Sequence, residues 1–221
     1  MMGELKLRIL SGVLLGFVTF MALFASPLSF FALVILLALL MYNEWMTLTV
    51  DFPLANRIGG LFYVGLPVWS VIALRDAPVP GGMEAASSTP FYVLFLFLVV
   101  IATDIGGYVF GKLYGKHKLA PSISPGKTIE GAAGSLSFSL GVAIIFALLL
   151  PTHETLTSAI WHALVLSVAS QCGDLFESWI KRKAGVKDSG TILPGHGGIL
   201  DRVDGLVFAA PVYALLVLPG A

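Results

Sequence analysis

The sequence is short of charge, of cysteine and of repeats. Only 12% of its 221 residues are charged, against about 25% in soluble domains. Hydrophobic residues make up 57% and the mean hydropathy is +0.92. A water-soluble globular fold is excluded, and the chain reads as an integral membrane protein. It has no net charge, with 13 Lys and Arg against 13 Asp and Glu. That balance speaks against a nucleic-acid partner, which would select a basic surface. A single cysteine, Cys172, rules out an internal disulfide framework and is read as a small side chain in a packed helix. No fixed period marks a repeat architecture. His196 has no second His or Cys at ligand spacing, so a zinc site is not expected there. Gly126-Lys127-Thr128 imitates the end of a P-loop, but the position needing the upstream glycine is Pro121, and no soluble strand precedes it. A P-loop ATPase is therefore rejected.

What is present is a series of long apolar runs. A spanning helix needs about 20 apolar residues, and seven candidates lie near 8–25, 29–48, 57–75, 91–111, 131–150, 157–179 and 205–219. The last is short unless it starts before Gly205. Pro27, Pro53, Pro90, Pro151 and Pro219 fall at or near the ends, where helix breakers belong. The expected fold is an all-α polytopic bundle of about seven transmembrane helices with a polar cavity facing the cytoplasm. Residues 1–26 have the outline of a signal peptide, but the next apolar run follows at once, so an uncleaved first helix is expected. The Pro- and Gly-rich stretch 76–90 separates N-terminal helices (1–76) from a C-terminal part (90–221) that holds the chemistry. Placing the N-terminus in the cytoplasm puts 12 of the 13 Lys and Arg inside and leaves only Arg75 outside. The positive-inside rule then gives an N-in, C-out topology.

The polar residues concentrate between Ser178 and Asp204. This stretch holds Lys181, Arg182, Lys183, Lys187 and Arg202 with Asp188, Asp201 and Asp204. Its centre, Pro194-Gly195-His196-Gly197-Gly198, cannot be regular helix. Backbone amides of such a turn can form a concave anion site. Asp201 and Asp204, at i and i+3, share a face if the segment is helical. Asp104 lies eight residues before Lys112, about 12 Å along a helix, and Asp174 seven before Lys181, about 10 Å. Both carboxylates therefore sit at similar depth below one basic rim, with Glu177 on the face of Asp174. Carboxylates are costly inside a bilayer, so their convergence points to a site for phosphate with a divalent metal. Ser122, Ser124, Lys127 and Thr128 form a second polar cluster. Gly107, Gly111 and Gly115 have the spacing of close-packed membrane helices. Glu44 reads as a helix-end residue.

The central stretch resembles the signature of the phosphatidate cytidylyltransferases, the CDP-diacylglycerol synthases. Ser178, Lys181, Arg182, Lys187, Asp188, Pro194, His196, Gly197, Gly198, Asp201, Arg202 and Asp204 fall in register with it. The resemblance extends over Gln171 to Ser178 and from Thr103-Asp104 to Gly131, with Asn43-Glu44-Trp45 as a weaker echo. It implies transfer of CMP from CTP to phosphatidate, giving CDP-diacylglycerol and pyrophosphate. It also implies Mg²⁺, with K⁺ as an assisting ion, a homodimer, and a place in a prokaryotic-type inner membrane with the active site facing the cytoplasm. By the same resemblance Asp174, Asp201 and Asp204 carry the metal; Asp104 and Glu177, at matching depth, are further candidates. Lys187 joins the three aspartates as catalytic, and Ser124, Lys127, Thr128, Lys181, Arg182, His196, Gly197, Gly198 and Arg202 contact substrate. Two rivals stand beside this reading: a CTP-dependent polyprenol or phytol kinase, and an ion-coupled transporter using the buried aspartates as a path.

Overall fold

The computed structural model describes residues 2–77, 90–149, 155–192 and 197–218. They form an all-α membrane protein of seven helices with one small hairpin. The helices are α1 (Met2–Ala25), α2 (Pro27–Leu48), α3 (Leu54–Asp76), α4 (Pro90–Tyr114), α5 (Ile129–Leu149), α6 (Leu156–Lys183) and α7 (Leu200–Val217). Helices α2 to α6 are each long and apolar enough to cross a membrane. The last helix does start before Gly205, and its first turn carries the charges of the signature. Pro151 and Pro219 lie outside the described residues.

Local chemistry sets the helix starts. Ser26 opens α2 with a reciprocal box: its hydroxyl accepts from Ser29 N at 3.0 Å, and Ser29 Oγ accepts from Ser26 N at 3.1 Å. Thr128 Oγ1 accepts from Gly131 N at 3.0 Å and caps α5. Thr155 does the same for α6 through Ser158 N at 3.1 Å. At 28 residues, α6 is about 42 Å long, more than the roughly 30 Å hydrocarbon core needs. Its basic last turn therefore stands clear of the apolar layer.

Between α4 and α5 the chain forms an antiparallel hairpin, β1 (Lys118–Ala120) and β2 (Ser124–Thr128), pairing Lys118 with Thr128 and Ala120 with Ser124. The all-α expectation missed it, because a short polar ladder beside Pro121 and Pro125 carries no apolar alternation. Arg182 Nε donates to Ile123 O at 3.2 Å and ties the hairpin to α6.

Helices α4 and α5 touch backbone to backbone. A Cβ on Gly131 would lie 2.9 Å from Gly107 O, and one on Gly134 would lie 2.7 Å from Gly106 O. The spacing of Gly107 and Gly111 thus does mark close packing. Gly106 completes the seam, and Gly115 instead abuts Thr128. Cys172 is exposed on α6, not packed as its small size suggested. One apolar cluster around Phe30, Leu74, Phe95 and Tyr213 fills the bundle end that carries Arg75. A second, around Met41, Trp45, Val64, Ile180 and Leu200, lies beneath the polar site.

Candidate active site

Helix α7 runs antiparallel down α6, and the two form a ladder of polar contacts. Asp201 faces Lys181: Lys181 Nζ donates to Asp201 Oδ1 at 2.6 Å and to Glu177 Oε2 at 3.3 Å. One turn deeper, Asp204 stands close enough to Glu177, Asp174 and Asp104 to feel all three charges. Below that the backbones meet, because a Cβ on Gly173 would strike Asp204 O and one on Gly205 would strike Ser170 Oγ. Glycine at both positions is what lets the carboxylates approach.

Four carboxylates therefore gather: Asp104, Asp174, Glu177 and Asp204. Lys127, from β2, reaches over them, with its Nζ 2.5 Å from Asp174 Oδ2. Arg202 is near enough to act on Asp104. Glu177 Oε1 is buried with no hydrogen-bond partner. Excess carboxylate with an unmet buried oxygen fits the donor chemistry of a hard divalent cation. Among the described residues no three acidic, His or Cys side chains already stand in a ligating arrangement.

Asp201 does not join this group. Its Oδ1 is taken by Lys181, and its Oδ2 accepts from Ser189 N at 2.9 Å and Gly198 N at 2.8 Å. It knots the two ends of the glycine loop. Of the three aspartates expected at a metal, the structure brings together Asp174 and Asp204.

The glycine loop itself departs from the expected phosphate cradle. Gly197 has φ +83°, a conformation that favours glycine. The following amides are already occupied: Gly198 N by Asp201, and Ile199 N and Leu200 N by Glu44, each at 2.9 Å. The anions held at the start of α7 are the protein's own carboxylates. His196 lies outside the described residues, as do Pro194 and Gly195.

A cavity of about 510 Å³ opens beside the carboxylates, between α4, α5, α6 and β2. Asp104, Gln171, Asp174, Lys112, Lys127 and Thr128 line it together with Gly107, Gly111 and Gly131. Ser124 begins β2 nearby, half-buried. Thr128 faces the cavity while capping α5. Arg182, expected on phosphate, donates to Ile123 O and Val186 O, each at 3.2 Å. Lys187 and Asp188 are exposed on the turn after α6. Sequence reasoning missed Glu44 and Ser189, which are 3% and 6% exposed. The echo of the family in Asn43-Glu44-Trp45 was the available signal for Glu44.

Fold and site together define a polytopic membrane protein with a carboxylate cluster and lysines at one end of its bundle. The chain belongs to the cytidylyltransferase family, whose model matches residues 59–218. It is 50% identical over 135 residues to a Staphylococcus epidermidis protein named phosphatidate cytidylyltransferase, covering 61% of this chain and 52% of that one. Proteins of the same name from Staphylococcus saprophyticus and Staphylococcus aureus are 49% and 48% identical over the same length and shares. The chain spans about half the length of the curated relatives it matches.

Proposed function

We propose that this protein transfers CMP from CTP to phosphatidate, releasing CDP-diacylglycerol and pyrophosphate. The observation that carries the reading is the carboxylate cluster paired with Lys127 beside a cavity at the basic end of a membrane bundle. The relatives' name supplies the substrates. A phosphate monoester carries about −1.5 to −2 charges, and here it attacks the α-phosphorus of a triphosphate. A new P–O bond forms, the α–β phosphoanhydride bond breaks, and pyrophosphate leaves. Phosphatidate is already an anion, so no general base is needed. The difficulty is repulsion between anions, which cations offset.

Mg²⁺, with K⁺ as a second cation, would supply charge neutralisation and Lewis-acid polarisation of the phosphates. Asp174 and Asp204 would hold it, with Asp104 and Glu177 in reach. Lys127 and Lys112, which line the cavity, would meet the triphosphate. Lys181 and Asp201 keep α7 in register and so hold Asp204 in place. A site near the membrane surface would take the lipid from the bilayer and the nucleotide from the water.

The orientation we infer is N-in, C-out in an inner, cytoplasmic-type membrane, on the distribution of Lys and Arg. A homodimer is proposed on the family resemblance alone, and crosslinking in native membranes tests it. The central experiment is purified protein with CTP, phosphatidate and Mg²⁺. CDP-diacylglycerol plus pyrophosphate is expected. CDP plus a phosphorylated lipid would identify a kinase instead, and ion flux without turnover would identify a transporter.

A further inference from the structure

Glu44 belongs to α2, outside the segments that carry the site, yet its carboxylate lies at the root of α7. It is 3% exposed. Oε1 accepts from Ile199 N at 2.9 Å, and Oε2 accepts from Leu200 N at 2.9 Å and from Ser189 Oγ at 3.3 Å. Two glycines make room for it. A Cβ on Gly198 would lie 2.6 Å from Glu44 Oε2, and one on Gly190 would lie 2.7 Å from Oε1. The negative charge sits where the first amides of a helix favour an anion. One side chain thus grips both ends of the glycine loop and the first turn of α7.

We propose that Glu44 is a positioning residue for the transfer reaction, fixing the first turn of α7 so that Asp204 stays beside Asp174, Glu177 and Asp104. This rests on the function proposed above. Asp204 follows Leu200 by four residues, about 6 Å of rise, so whatever fixes the amide of Leu200 fixes the next turn. Asp201 supports the same turn from the other side by joining Ser189 N to Gly198 N. Asp201 faces α6 and Glu44 comes from α2, so the two carboxylates brace the helix start from different elements. Without Glu44, two buried amides and a hydroxyl lose their acceptor, and the first turn must loosen to meet water.

The test is Glu44→Gln, which keeps the shape but replaces one acceptor oxygen by a donor. Three measurements are made on the full chain in detergent or nanodiscs. Amide exchange of a peptide covering 197–204 should quicken by at least about tenfold, Mn²⁺ binding followed by electron paramagnetic resonance should weaken, and kcat should fall about 10–100-fold, the range typical of groups that orient metal-site ligands. The KM for phosphatidate should stay near wild type. A variant with a lower unfolding midpoint but wild-type kcat and Mn²⁺ affinity would overturn the proposal and leave Glu44 merely structural. Unchanged amide exchange would overturn it as well. If Glu44→Gln does not fold, Ser189→Ala, which removes one of the three bonds, should show smaller shifts in the same directions, and none at all would count against it. Should the wild-type protein make no CDP-diacylglycerol, the function proposed above fails, while exchange and Mn²⁺ binding still decide the role of Glu44.

Discussion

Lys181→Met should unfold the protein more readily and should not act as the loss of a phosphate ligand. Lys181 has a side chain only 11% exposed and lies between Asp201 at 2.6 Å and Glu177 at 3.3 Å, whose side chains are 7% and 1% exposed. At an effective dielectric near 20, the gross attractions are about 6 and 5 kcal/mol. Desolvation of the three groups cancels most of that. Removing the one cation strands two buried carboxylates, and breaking buried pairs in this way costs about 3–5 kcal/mol. Met keeps the length and apolar bulk of the stem, so the loss is electrostatic. The assay is reversible unfolding in mixed micelles, with CTP kinetics on the folded fraction. Removing the stranded charges by adding Glu177→Gln and Asp201→Asn should recover part of the stability, less the loop bonds that Asp201 makes. If Lys181→Met unfolds like wild type and instead raises the KM for CTP, the reasoning is refuted and Lys181 is a substrate ligand.

Asp174→Asn and Asp204→Asn should each cut turnover by at least ~100-fold and weaken Mn²⁺ binding in the absence of substrate; unaltered Mn²⁺ binding in both would place the metal elsewhere. Gly134→Ala should cost about 1–3 kcal/mol by overpacking, because its Cβ would press on Phe110 and on Gly106 O, whereas Gly141→Ala, with nothing within 4 Å, should be neutral or stabilising; equal effects would dissolve the seam. In a Cys172→Ser background, a cysteine replacing Ser87 should react with an impermeant thiol reagent added outside, and one replacing exposed Val186 only once the membrane is opened. The reverse pattern would invert the topology. Ser189 on the same turn is buried and is a poor labelling position.

The seven helices were legible because a bilayer imposes length and apolarity on each one, and composition reports both directly. The pairing of Asp104 with Asp174 was legible too, since counting residues from a basic rim measures depth along a helix. Contacts between side chains and distant backbone were not. Asp201 and Asp204 look alike in sequence, three residues apart on one face. Only the antiparallel path of α7 along α6 sends one to Lys181 and the loop amides and the other to the carboxylates. Similarly, the glycines at 197 and 198 announce an anion without saying whose. The anions are carboxylates from α2 and α7, and no local pattern links residue 44 to residue 199. The hairpin was hidden by its brevity and its prolines.

The contact between α4 and α5 has a mechanical meaning. Where two helices meet through side chains, rotamers can change and the helices can slide by small steps. Gly106, Gly107 and Gly131 present no rotamers, and their backbones already touch. A sliding step would drive carbonyl oxygen into Cα. These two helices should therefore move as one rigid plate. Under the proposed function, the motion that admits and releases the lipid would then act on the other walls of the cavity, where the hairpin and the long α6 meet through Arg182 and through Lys127 with Asp174. Those links are polar and can be broken and remade, whereas the glycine contact cannot give way.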